Sequence, residues 1–174
     1  AVLRLKKEMP RDFEATLRFV TTGGSKWRSI GIEFDGVSDD PSGELARGES
    51  AQNIYVSGYQ PAPKIQGSYN IGNGFQYPSQ GARPIKFEVD RQYEFKIQVR
   101  DTLVNAFLDG ELVVAWQTPV PRRDGAIQIS TFDVLPILKS FSVRRLPPSV
   151  KLASASETGK PETPSPGNPE EALV

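Results

Sequence analysis

Residues 93–116 read YEFKIQVRDTLVNAFLDGELVVAW, and this ribbon constrains the fold more than any other part of the chain. Tyr93, Phe95, Ile97 and Val99 alternate with Glu94, Lys96, Gln98 and Arg100. That period of two belongs to a strand buried on one face. Asp109-Gly110, set between two further apolar runs, is a hairpin turn signal. Similar alternation recurs at 13–20, 27–34, 53–59, 64–69, 85–89, 103–110, 111–116, 126–133 and 137–146. About ten short strands with turn residues between them, and no sustained 3.6-residue period, predict an antiparallel sandwich or barrel.

Two longer stretches interrupt the strands. Residues 35–50 are rich in Gly, Ser and Asp, and residues 70–84 are rich in Gly and Asn and carry Phe75 and Tyr77. Long loops on a rigid sheet are common places for binding residues. Beyond residue 146 the character changes. Residues 147–174 hold six of the chain's 15 prolines and no aromatic residue, so they predict a flexible linker or tail with too little apolar surface to pack. Within it Asn168 and Pro169 read as the start of a helix. The expectation is a sandwich over 1–146 followed by a linker, in a piece of a longer protein.

Composition removes several chemistries. The chain has 174 residues, no cysteine and no histidine. Disulfides, thiolate nucleophiles, Cys/His zinc sites and a Ser-His-Asp triad are therefore excluded. Lys plus Arg and Asp plus Glu both number 21, for a formal net charge of zero. Neither a nucleic-acid binder nor a polybasic membrane-surface segment is expected from that balance. No apolar run reaches the length of a membrane helix, so membrane insertion by a helix is not expected either.

The ordered set of motifs resembles concanavalin A-like, laminin-G-like (LamG) sandwich modules. The ribbon 93–116 resembles their central hairpin, DFEATLRF (12–19) their first core strand, and GAIQISTFD (125–133) with LKSFSVRRL (138–146) their closing pair. The resemblance implies an all-β, antiparallel two-sheet jelly-roll. The domain, linker and helix start together resemble modules inserted in large bacterial envelope proteins that also carry c-type haem domains. No Cys-x-x-Cys-His occurs in this chain, so it attaches no such haem itself.

Some sandwiches of this family are glycoside hydrolases, which need two carboxylates flanking the scissile bond. Glu88, Asp90 and Glu94 do not have the hydrolase spacing, and Glu33 with Asp35 lacks a third acid. No catalytic residue is assigned. Many LamG-type modules hold calcium, for which Asp35, Asp39, Asp40 and Glu44, or Asp12 with Asp133, are the available acids. The loop acids lack EF-hand spacing and Asp12 with Asp133 would have to approach across strand ends; neither set is specific, so calcium is left open without a motif, no cofactor is expected and no metal site is assigned.

Binding is the better expectation. Alternation puts Tyr55, Ser57, Lys64, Gln66, Lys96, Gln98, Arg100, Gln128 and Ser130 on the solvent side of their strands. If those strands share a sheet, the face has the composition of a polar-ligand surface. Trp27, Tyr59 and Tyr77 are the aromatic candidates for stacking on sugar rings. Arg122 and Arg123 fall in a turn, where they are solvated or meet an anionic polymer. The expected function is a non-catalytic module of a larger secreted, periplasmic or envelope protein, with carbohydrate or a neighbouring domain as partner. A structural spacer and a sugar-processing hydrolase are the alternatives.

Overall fold

A computed structural model describes residues 2–4, 9–36, 50–72 and 74–155. In chain order the strands are β1 (Val2–Arg4), β2 (Phe13–Gly23), β3 (Ser29–Gly36), β4 (Ala51–Ser57), β5 (Lys64–Asn70), β6 (Phe75–Gln76), β7 (Ala82–Pro84), β8 (Gln92–Arg100), β9 (Leu103–Leu108), β10 (Glu111–Gln117), β11 (Ala126–Phe132) and β12 (Leu135–Arg145). They form two antiparallel sheets. One has seven strands in the order β1-β11-β3-β4-β5-β6, with β7 also on β5; the other has five, β10-β9-β8-β2-β12. The fold is an all-β jelly-roll sandwich.

The core lies between the sheets and follows from the alternation. Phe13, Ala15, Leu17 and Phe19 of β2, with Phe95, Ile97 and Val99 of β8, turn inward from the five-stranded sheet. Ile30, Ile32 and Phe34 of β3, with Ile54, Val56, Ile65, Ile127 and Ile129, meet them from the other. Asp109 and Gly110 adopt φ of 51° and 86°, the left-handed pair that a two-residue hairpin between twisted strands requires.

Three local readings change. Residues 85–89 are not a strand; β7 lies just before them, and Phe87 enters the core from a loop. The strand read from Trp27 begins at Ser29, because the Asp133 carboxylate accepts hydrogen bonds from the backbone of Ser25, Lys26 and Trp27 and holds them as a turn. The segment read as linker from residue 147 begins docked. Asn105 Nδ2 donates to the Ala153 carbonyl at 2.9 Å and Asn105 Oδ1 accepts from the Ala153 N–H at 2.7 Å. Arg100 donates to the carbonyls of Pro147 and Val150. Residues 147–155 therefore form a strap across β8 and β9 on the outside of the five-stranded sheet. Asn168 and Pro169 lie outside the described residues.

Candidate functional site

The outer face of the seven-stranded sheet carries an open groove of about 270 Å³. Register builds it in rungs across the strands. One rung runs Ser130, Gly31, Tyr55, Gln66, and the next Gln128, Glu33, Asn53, Ser68. Gly31 forms the floor. A Cβ there would lie 2.5 Å from Tyr55 Cβ and 2.9 Å from Asn53 Oδ1, so the groove owes its depth to a missing side chain.

Hydrogen bonds fix the polar groups of the floor. Gln128 Nε2 donates to Glu33 Oε1 at 2.6 Å, and Ser130 Oγ donates to Asn53 Oδ1 at 3.3 Å. Phe75 and Tyr77 rise along the opposite side, their ring centres 6.3 Å apart, and Tyr77 meets Tyr55 edge-on at 6.5 Å. Phe132 and Ser29 complete the lining at the β11 end. Preset amide, carboxylate and hydroxyl groups beside half-buried rings suit a ligand with apolar faces and many hydroxyls.

The residues expected from sequence do not all gather here. Tyr55 and Ser130 line the groove, Gln128 bonds to its Glu33, and Tyr77 forms its wall. Ser57 and Gln66 share the sheet but are spent internally. Ser57 Oγ donates to the Trp27 carbonyl, and Gln66 Nε2 donates to the carbonyls of Gly67 and Pro78. Lys64 donates to Gln66 Oε1 at 3.1 Å.

Lys96, Gln98 and Arg100 belong to β8 and so to the opposite sheet; the condition that all these strands share one sheet does not hold. Gln98 donates to Glu14 at 2.8 Å, Lys96 Nζ sits 4.5 Å from the Phe107 ring centre, and Arg100 holds the strap. Trp27 and Tyr59 stack on each other at 4.8 Å beneath Lys26, away from the groove lining.

Of the acids weighed for catalysis or calcium, Glu33 alone lines the groove among the described residues. Asp35 receives Arg122 Nε and Nη2 at 2.6 and 3.1 Å and Gln52 Nε2 at 2.9 Å. Arg122 is thus no solvated turn residue: 4% of its side chain is exposed, as for Asp35. Arg123 reaches Ser50 Oγ at 3.3 Å. Asp12 and Asp133 sit at opposite ends of the 11-residue β2, roughly 35 Å apart at the usual rise per residue. Asp90 occupies a turn, and Glu94 pairs with Arg18 at 2.7 Å. Asp39, Asp40 and Glu44 lie outside the described residues, among which no cluster of three acidic side chains is positioned to hold a metal.

Sequence reasoning missed Gly31, Asn53, Ser29 and Phe132 as groove residues and weighed Glu33 only as half of a catalytic pair. Glu33 and Asn53 alternate with the buried Ile32, Phe34 and Ile54 of β3 and β4, but only the register between strands brings them together.

Comparison with solved structures finds this sandwich in a carbohydrate-binding module, CBM66, from Bacillus subtilis, with a TM-score of 0.60, 12% identity and coverage of 82% of this chain and 76% of that one. Sheep galectin-11 gives 0.59 at 7% identity, covering 83% and 96%. Caenorhabditis elegans galectin LEC-6 gives 0.57 at 11%, covering 83% and 90%. At such identities the likeness is one of fold. No protein-family model and no curated protein matches the chain.

Proposed function

We propose that this chain is a non-catalytic carbohydrate-binding module whose ligand lies in the groove on the outer face of the seven-stranded sheet. The observation that carries the reading is the juxtaposition of Phe75 and Tyr77 with Glu33, Asn53 and Ser130 around a glycine floor. Rings cover the apolar face of a sugar while fixed amide, carboxylate and hydroxyl groups read its hydroxyls. The shared fold of CBM66, a carbohydrate-binding module, supports the same ligand class.

Glu33 is the single carboxylate lining the groove among the described residues, whereas hydrolysis calls for a pair about 5–10 Å apart. That favours binding over turnover. The proline-rich residues 156–174 fit a module joined to further parts of a secreted or envelope protein.

A glycan array followed by calorimetric titration of the strongest hits tests the reading. Saturable binding is expected, weakened about tenfold in Tyr77→Ala and in Asn53→Ala, with melting temperatures that show both variants folded. Full-strength binding in both variants, or no bound glycan, contradicts it.

A further inference from the structure

We infer that Phe132 and Ser29 form a second contact point at the β11 end of the groove, so that the site grips a short glycan or a chain end from two sides. The inference rests on the carbohydrate reading and deepens it. Phe132 lies on the outer face of β11, two residues from Ser130 and in register with Ser29. Its side chain lines the groove, yet the residue is 53% exposed. An exposed ring beside polar floor groups is placed to stack on the apolar face of a sugar.

Ser29 supplies an independent sign. It lines the same corner, is 6% exposed, and its Oγ is buried without a hydrogen-bond partner. Buried hydroxyls are nearly always satisfied, so an orphan in a groove points to a group that arrives from outside. The exposed Phe132 side chain can change rotamer on a fast timescale, which lets a sugar hydroxyl reach Ser29 while the ring closes over the sugar.

The two ends set the size of the ligand. Tyr55 on β4 and Phe132 on β11 stand two strands apart across β3 and two residues apart along it, about 12 Å at the usual spacing and rise. The volume of about 270 Å³ is just below the usual range for small-molecule sites, about 300–1,000 Å³. One or two sugar rings fill it, one beside Tyr55 and Tyr77 and one beneath Phe132.

The test is a calorimetric ladder of cello-, xylo-, malto-, galacto- and fructo-oligosaccharides of one to six units, with wild type, Phe132→Ala and Ser29→Ala. For the series that binds, affinity should stop rising by the second or third unit. Phe132→Ala should weaken the disaccharide about tenfold and Ser29→Ala about fivefold. Ser29→Ala should keep or raise the melting temperature, because it deletes a hydroxyl that the ligand-free fold leaves unsatisfied. Affinity that climbs through the fifth or sixth unit, or wild-type binding in both variants, overturns this inference and leaves the carbohydrate reading standing. Binding of no sugar in any series or on the array overturns the carbohydrate reading, and this inference with it.

Discussion

Asp35 and Arg122 show how single residues with an apparent claim to chemistry are consumed by the fold. Their side chains are each 4% exposed, and the guanidinium also lies 5.6 and 5.5 Å from the Phe13 and Phe34 ring centres. Arg122→Met would strand a buried carboxylate. Urea denaturation should show a loss of about 3–5 kcal/mol, the usual result of breaking a buried pair from one side. A stability unchanged by the substitution would mean that the pair is not closed in solution.

Asp133 acts on the turn before β3. Backbone N–H groups of Ser25, Trp27 and Lys26, then the Ser25 hydroxyl, hold its carboxyl well below the usual carboxylate range. Burial opposes ionisation of Glu14, but hydrogen bonds from Gln98 and Arg144 outweigh it and lower that pKa as well. A carboxyl with a depressed folded pKa contributes stability above its unfolded value of about 4, and loses it as pH falls toward the folded value. The melting temperature should therefore drop as pH is taken below about 4. Asp133→Asn should melt lower at neutral pH and show a flatter acid limb.

Among the elements, β8 is both the most legible and the most instructive. Tyr93, Phe95, Ile97 and Val99 announce a half-buried strand, and all four are buried. Period-two reasoning separates inward from outward residues, but it carries no information on which sheet a strand joins. Lys96, Gln98 and Arg100 lie on the outer side of β8, yet they face away from the groove because β8 pairs with β2 and β9. Gly31 and Asn53 stayed hidden for the same reason: their meaning lies in register.

The strap was concealed by composition. A proline-rich segment reads as linker, while what docks it is Arg100 on the Pro147 and Val150 carbonyls and a pair of hydrogen bonds with Asn105, a residue only 1% exposed. Asn105→Ala should cost about 1–3 kcal/mol by leaving backbone groups of Ala153 unsatisfied. Hydrogen exchange should then reveal faster exchange at Ala153 with little change at β3 and β4. Equal protection in both proteins would show that the strap is held by other contacts.

At the scale of the whole molecule, the two outer faces have different fates. The strap closes part of the five-stranded face over Arg100 and Asn105, and Gln98 is spent on Glu14. The seven-stranded face keeps a groove whose depth comes from Gly31 and whose walls are aromatic. The sandwich itself was readable from alternation, because burying one face of every strand leaves few architectures. The choice of face was not, since it depends on how strands far apart in the chain line up.

The most direct test follows backbone amide chemical shifts during titration with the best glycan from the array. The account predicts saturable shifts at Gly31, Glu33, Asn53, Tyr55 and Ser130, with Lys96, Gln98 and Arg100 unmoved. Saturable shifts centred on Lys96, Gln98 and Arg100, with the groove amides silent, would contradict it.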